Sequence, residues 1–486
     1  MRVKRVIHWF RRDLRLSDNT ALNAGAVRAE DIVPVFVWDD VCFGSAGLGE
    51  RQLAFLRDAI TALRNSLREL RHELIICCGQ PEVELPKLCK ELRAEAVFCN
   101  RGYEPEEKRV EARVFSALNA AGFGFESFKD SVVWEEQEIL TQAGRPFTVF
   151  TPYARAWKAR PIPAPKPRLT KRRANTRLPK IKSYDLPVVL GVTGKSDAGA
   201  APDATEKGAL TTLAKFMSGP VYEYATLRDY PAKNGTSRLS PHLRFGTVGI
   251  RTVLAALRKA RSRARSITEK KSCDVFLTEL IWREFYNQIL ANFPHVAHGS
   301  FRPEYNALEW SENSAHFDAW CNGMTGYPIV DAAMRCLNAT GWLHNRLRMI
   351  VAMFLSKDLL INWQWGERYF MRKLVDADLA ANNGGWQWSA STGTDAAPYF
   401  RIFNPVAQGQ KFDPNGEFIR RWVPELASFP VELIHQPWKN PAALNRAGYH
   451  HRIILHEKQR LKVIEMYRAV KTRSRIGERA GQRHDS

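Results

Sequence analysis

Residues 376–388, DADLAANNGGWQW, place two carboxylates, two asparagines, a glycine pair and two tryptophans in one short segment. In a helix interior Gly384 and Gly385 would each cost about 1 kcal/mol against alanine. The pair therefore points to close backbone approach to something flat or large. Trp386 and Trp388 read equally well as core. In FLTELIWREFYNQIL, 276–290, helical spacing puts Glu279, Trp282, Arg283 and Tyr286 on one face. A surface ion pair between Glu279 and Arg283 would account for two of them, but not for the indole and phenol beside it, so the face reads as a pocket wall. In TGWLHNRLRMIVAMFL, 340–355, Asn345, Arg348 and Met349 fall at i, i+3 and i+4 on an otherwise apolar helix. An arginine there needs an anionic partner, because an unpaired buried charge costs several kcal/mol; a protein carboxylate is the plain choice. In GTSRLSPHL, 235–243, the hydroxyls of Thr236, Ser237 and Ser240 and the donors of Arg238 suit a phosphate at a helix start. A plain helix cap after a glycine turn serves equally.

The elements that must position these residues fall into two halves. Residues 1 to about 130 alternate short β-branched or aromatic runs (RVIHWF, DIVPVFVW, ELIICC, EAVFC, FGFESF) with longer stretches of helical period such as ERQLAFLRDAITALRNSLREL. That alternation predicts a parallel, Rossmann-like α/β domain. Ligands of such sheets sit beyond the strand C-termini, which makes RRDLRLSDN (11–19) and WDD (38–40) candidate ligand loops. No G-x-G-x-x-G follows the first strand, and GFGFES at 122–127 lacks a third glycine and enters a strand. From about 155 to 210 the chain becomes rich in proline, basic and small residues, the signature of a connector. Beyond 210 the periods are almost all helical, so the second half reads as a large all-α domain.

The 486 residues carry 72 Lys and Arg against 51 Asp and Glu, a formal charge of +21 that favours a polyanionic partner or an acidic membrane surface. Charge interrupts the N-terminal apolar run too early for a signal peptide, and no apolar stretch reaches spanning length. A cytoplasmic protein is expected. Eight cysteines, at 42, 77, 78, 89, 99, 273, 321 and 336, show neither C-x-x-C nor zinc spacing. They read as reduced, mostly buried thiols with no metal site.

Taken together, HWFRRDLRLSDNTAL, TGYPIVDAAMRCLNATGW, NRLRM and DLAANNGGWQWSASTGTDAAPYFRIFNP identify the chain as resembling the DNA photolyase and cryptochrome family, most closely class I cyclobutane pyrimidine dimer photolyases. The resemblance covers nearly the whole chain. It implies an antenna-chromophore domain at 1–132, a connector at 133–209, an α-helical domain that binds FAD and DNA at 210–475, and a basic tail at 476–486.

FAD is implied in a folded form held by Tyr224, the run Thr236, Ser237, Arg238, Leu239 and Ser240, and Phe276, Glu279, Arg283, Tyr286, Asn345, Arg348, Asp376 and Asp378. Asn382 would face flavin N5. Trp386, Trp363 and Trp310 would relay electrons from flavin to surface. Glu279, Trp282, Asn345, Met349 and Trp388 would meet the lesion, with Arg346 and Arg401 near the DNA backbone. The implied reaction is light-driven: excited reduced flavin donates an electron to a flipped-out pyrimidine dimer, the cyclobutane ring splits, and the electron returns. Burial beside Trp282 would favour a protonated Glu279 that stabilises the dimer radical anion. The +21 charge would serve phosphate contacts with UV-damaged DNA, duplex or single-stranded, regardless of sequence. A monomer is expected.

A blue-light-sensing cryptochrome, a (6-4) photolyase and a nucleic-acid-binding protein without catalysis are the alternatives, the last disfavoured by the intact flavin set. Asn at 382 and the short basic C-terminal segment disfavour the first. Asn345 and Met349, where (6-4) enzymes carry histidine, disfavour the second, and adjacent His344 is expected on a different helix face. A second antenna chromophore is expected, of folate or deazaflavin type, with RRDLRLSDN, WDD and EPEEKR as its candidate contacts.

Overall fold

The structure, a computed structural model, describes residues 3–39, 48–170, 181–185 and 202–481, the last eight of these by their backbone. Asp40 of the WDD loop, Cys42, much of the expected connector and residues 482–486 lie outside it. The strands expected from the sequence form β1 (Val3–Phe10), β2 (Ala29–Trp38), β3 (Ile75–Cys78), β4 (Ala96–Asn100) and β5 (Gly124–Phe128). They pair in parallel in the order β3-β2-β1-β4-β5. Val6, Phe10, Phe36 and Phe98 enter the core on one face, and Ile7, Trp9, Val35 and Val97 enter the core on the other. Helices therefore cover both faces, which is why these strands read as unbroken apolar runs.

Strand order reverses between β1 and β4, and there the loops leaving their C-terminal ends line a pocket. Arg11, Arg12 and Asp13 come from the loop after β1, Arg101 and Gly102 from that after β4, and Arg244 and Arg283 from the helical half. Polar residues of the β1 loop are largely committed to structure. Asn19 caps the helix Thr20–Arg28 by accepting from Leu22 N at 3.0 Å, and Asn100 Nδ2 donates to Asp13 Oδ2 at 2.7 Å.

The helical half has one large core, containing Trp320, Tyr327, Phe354, Trp363, Phe370 and Trp386. A second core packs the helix Phe150–Lys158, from the stretch expected to be connector, against the long helix Ile267–Asn292. Glu284 on that long helix accepts from Val133 N (2.6 Å), Trp134 N (3.0 Å) and Trp157 Nε1 (2.6 Å). Burial pushes its carboxyl up to about 7 against these donors. Buried Cys77, Cys89, Cys99 and Cys321 are free thiols raised by burial to about 12, which makes them packing groups rather than nucleophiles.

The two halves are joined by buried ion pairs. Arg15 Nη2 meets Asp130 Oδ2 at 2.5 Å, and Arg251, on the helix Ile250–Arg263, meets Asp18 at 2.7 Å and Asp130 at 2.6 Å. Arg15 also donates to the carbonyl of Gly246 at 3.0 Å. Gly246 has φ +69°, and a Cβ there would lie 2.0 Å from the carbonyl oxygen of Arg12, so only glycine allows the halves to close.

Asp130→Asn should leave Arg15 and Arg251 buried with half their compensation, a loss of about 3–5 kcal/mol read as a lower urea midpoint. Acid acts on the same loop. Burial alone would raise the Asp13 carboxyl, but the hydrogen bond and charge of His8 outweigh it and hold the pKa at about 2 against an ordinary 3.8. Because the folded value is the lower one, this stabilisation is complete above about pH 4 and should be lost as pH falls through 3.8 towards 2. Circular dichroism against pH measures it.

Candidate functional site

The helices Ile267–Asn292 and Asn345–Met353 both pack on Leu379–Ala390, and several side-chain partners differ from those the spacing suggested. On Ile267–Asn292, Phe276 is buried with its ring edge-on to Tyr224 at 5.2 Å. Glu279 does not pair with Arg283, as the spacing suggested. It accepts from Arg228 Nη1 at 2.7 Å, and Arg228 lies 5.4 Å over the Tyr224 ring. The apolar burial expected around Glu279 is absent too: its side chain is 27% exposed and ion-paired. Arg228 was missed because its partner lies 51 residues away, beyond any periodicity.

Arg283 donates to the carbonyl of Ser131 at 2.8 Å and has no carboxylate within ion-pair distance among the described residues. Burial lowers its pKa, since the nearby acid charges do not fully offset desolvation. A cation left this way suits an anionic ligand. Trp282 lies flat on Phe150, centroids 3.6 Å apart and planes 5° from parallel. Tyr286 is 5.5 Å from Trp282 and fills the space beside Gly384, where a Cβ would come 2.1 Å from the phenol ring. The flat group that Gly384 makes room for is therefore Tyr286. A Cβ on Gly385 meets nothing within 4 Å.

The helix Ser240–Phe245 begins without a side-chain cap, its N-cap position being Leu239. The plain-cap reading of Thr236, Ser237 and Ser240 therefore fails, and the Ser237 hydroxyl accepts from Leu239 N at 3.4 Å. Arg238 adopts φ +52° and sets its guanidinium 4.6 Å over Trp342.

Arg348, on Asn345–Met353, finds its expected carboxylate: Nη2 donates to both oxygens of Asp376, at 3.0 and 2.8 Å. Arg346 pairs with Asp229 at 2.8 Å, lies over Phe412 and approaches the sulfur of partly buried Met349 at 3.9 Å. Asn345 is exposed. His344 is the N-cap, its Nδ1 accepting from Arg346 N at 3.2 Å, and burial lowers its pKa to about 4. The ring is thereby kept neutral and committed to the helix end.

Asp378 caps Leu379–Ala390 by accepting from Ala381 N at 3.1 Å, and stands 3.6 Å from Arg12 and from Arg244. Asn382 donates to the carbonyl of Glu367 at 3.0 Å, and the Glu367 carboxyl, pushed up to about 7 by burial, accepts from Asn383 at 2.9 Å. Glu367 went unnoticed in WQWGERYF because a helix-face glutamate is ordinarily solvated. Trp386 and Trp363 are 2% exposed, and Trp310 is partly buried against the same core. Trp388 and Tyr286 line a pocket with Asn383, Gly384 and Gln387. Arg401 is exposed, 5.9 Å over the Phe403 ring.

The residues present fit FAD. Uncompensated Arg283 and hydroxyls unused in capping offer a pyrophosphate both charge and donors. The carbonyl-anchored Asn382 leaves its amide oxygen for a ring N–H, the amide orientation being the one this hydrogen bond requires.

Residues 6–169 match the family model for DNA photolyase, and residues 276–469 match that for the FAD binding domain of DNA photolyase. The chain is 42% identical to the deoxyribodipyrimidine photo-lyase of Halobacterium salinarum, over 95% of this chain and 98% of that one. It superimposes on a class III photolyase from Agrobacterium tumefaciens with a TM-score of 0.90 at 38% identity, covering 97% and 98% of the two chains. For an archaeal photolyase from Sulfolobus tokodaii, described with two FAD molecules, the TM-score is 0.81 at 31% identity, covering 96% and 100%.

Arg348→Met should strand Asp376, whose side chain is 2% exposed, at a cost of about 3–5 kcal/mol. The expected result is protein purified with little flavin, measured as the ratio of 450 to 280 nm absorbance, because that energy drawn from the bound state weakens flavin binding by a factor on the order of a hundred to a few thousand. Wild-type flavin content in a folded Arg348→Met protein would show that the pair does not serve the cofactor.

Proposed function

This chain belongs to the DNA photolyase family, and on that premise we propose that it is a deoxyribodipyrimidine photo-lyase, a light-driven enzyme that repairs cyclobutane pyrimidine dimers in UV-damaged DNA with FAD as cofactor. One observation carries the reading: Arg283, a cation with only the Ser131 carbonyl as hydrogen-bond partner and no ion-paired carboxylate among the described residues, lies on the helix that also carries Trp282 and Tyr286. The chemistry that bound FAD supplies is electron donation to the dimer under blue or near-UV light and recovery of that electron after the ring opens.

The chain's own residues bind and orient. Arg283 and the hydroxyls of Thr236, Ser237 and Ser240 hold the pyrophosphate, with Arg238 and Leu239 shaping that turn and Tyr224 and Phe276 packed beside it. Arg348, fixed by Asp376, and Asp378, fixed as a helix cap, border the flavin, and Asn382 presents a neutral amide at N5. Trp282 and Trp388 offer flat apolar faces to a flipped-out dimer, while Glu279, Asn345 and Met349 contact its bases and Tyr286 stands with the cofactor residues. A base that leaves the stack gives up a few kcal/mol, least when it is damaged, so such a site selects lesions with few sequence-reading contacts. Arg346, Arg401 and the +21 charge serve the phosphates, on duplex and single strands alike. Trp386, Trp363 and Trp310 relay electrons outward, a role that their grading from buried to partly exposed supports.

Residues 1–132 carry a second, antenna chromophore, 133–209 link the halves, 210–475 hold FAD and DNA, and 476–486 form a basic tail. No described helix is long and apolar enough to cross a membrane; a cytoplasmic monomer is proposed. His344, buried as a helix cap, is unavailable for the histidine chemistry of a (6-4) enzyme.

The deciding experiment gives FAD-loaded, chemically reduced protein thymine cyclobutane dimers in duplex and single-stranded DNA, under light and in the dark. Light-dependent restoration of thymine in duplex is expected. Repair of single strands alone would favour a DASH-type cryptochrome, and repair of neither a light sensor or a (6-4) enzyme. Glu279→Ala should lower repair yield with flavin retained. Trp386→Phe should abolish photoreduction of oxidised flavin yet spare repair by chemically reduced enzyme; loss of both would refute the relay assignment.

A further inference from the structure

One face of Trp282 is covered by Phe150, 3.6 Å away and within 5° of parallel, while Phe285 packs perpendicular to it at 5.6 Å and Tyr286 stands tilted by 37° at 5.5 Å. Aromatic pairs prefer offset or edge-to-face geometry, so a face-to-face pair persists only where backbone holds both rings. Trp282 is held by the helix Ile267–Asn292. Phe150 is the first residue of its own helix, and the N-cap, Val149, makes no side-chain capping bond.

The cap comes from elsewhere. Asp395, 245 residues away in sequence, accepts from Phe150 N through Oδ2 at 3.0 Å. Its neighbour Thr394 donates from Oγ1 to the carbonyl of Thr148 at 2.6 Å. The two contacts clamp segment 148–150 from both sides. The loop bearing them is tied down in turn: Lys357 Nζ donates to Ser391 Oγ at 2.7 Å and to the carbonyl of Arg401 at 3.0 Å, and Ala397 N donates to the carbonyl of Trp388 at 3.2 Å. Trp388 and Trp282 thus belong to one strapped assembly, although they sit on different helices.

We infer that Phe150 and Asp395 are positioning residues for lesion recognition: the Asp395 carboxylate seats Phe150, and Phe150 sets the plane in which Trp282 offers its other face to a dimer base. The inference rests on the reading of Trp282 as a lesion contact. A seated indole loses no rotational freedom when a base stacks on it, and stacking is the sequence-tolerant contact that a damage-selective pocket needs.

The test compares FAD-loaded wild type with Phe150→Leu, Phe150→Tyr, Asp395→Ala and Trp282→Leu, measuring affinity for a duplex with one thymine dimer and for the same duplex undamaged, with flavin content and unfolding midpoint alongside. Phe150→Leu should weaken dimer binding about tenfold, the scale of one lost base stack, and leave undamaged binding and flavin content as in wild type. Phe150→Tyr should restore affinity, and Asp395→Ala should shift it in the same direction as Phe150→Leu by less. Wild-type dimer affinity in Phe150→Leu, beside a clear loss in Trp282→Leu, would overturn the inference alone. No loss in Trp282→Leu would overturn the lesion reading and this inference with it. Equal losses on damaged and undamaged duplex, or loss of flavin in Phe150→Leu, would make Phe150 an ordinary core residue and overturn its positioning role.

Discussion

Arg15 and Arg251 meet Asp18 and Asp130 at the seam between the sheet and the helical half, all four side chains being 5% exposed or less. Charges shut away from water at this depth are tolerable only in fixed geometry, since every unpaired member would carry a desolvation penalty of several kcal/mol. The quartet therefore orients one half on the other more than it adds net stability. Everything at the cleft inherits that orientation. Arg12 from the sheet side reaches Glu104 at 2.6 Å and stands 3.6 Å from Asp378, and Arg244 from the helical side reaches the same two carboxylates. Asp378 is also the cap of the helix that carries Asn382 and Trp386. The pose of that helix is thus tied to charges from a domain that contributes no residue to the proposed lesion pocket.

Within this frame the arginines sort by partner. Arg348 is satisfied by Asp376, Arg346 by Asp229 and Arg228 by Glu279. Arg283 has the carbonyl of Ser131 and no carboxylate within ion-pair distance among the described residues. The tryptophans sort similarly. Trp363 and Trp386 are core by packing, which does not bar them from carrying charge, because an indole needs only neighbours and not solvent. Trp282 and Trp388 instead border cavities or stacks in which one face has a defined partner. The α/β half, by contrast, spends most of its conspicuous motif on itself. Asp13, Arg15, Asp18 and Asn19 of RRDLRLSDN make intradomain or interdomain bonds. Arg11, which also pairs with Glu111, and Arg12 remain beside the cavity at the strand ends.

The sequence by itself determined the architecture. Unbroken apolar runs can be satisfied only in a sheet covered on both faces, and i, i+3, i+4 spacing puts side chains on one helix face whatever surrounds them. Both signals are local, so strands β1 to β5 and the shared face of Glu279, Trp282, Arg283 and Tyr286 were legible. The motifs of residues 8–22 and 325–405 likewise carried the family, and with it the flavin chemistry. Tertiary structure alone decided the partners. Glu279 chose Arg228 over Arg283, four residues away, because side-chain geometry across two helices outranks neighbourhood on one. Gly384 proved to make room for Tyr286, and the helix Phe150–Lys158 left the expected connector for the core. Asp395 capping Phe150 across 245 residues has no sequence signature at all. Hydrogen bonds and ion pairs between distant segments depend on where the backbone has already brought two groups, and no spacing rule reaches across that distance.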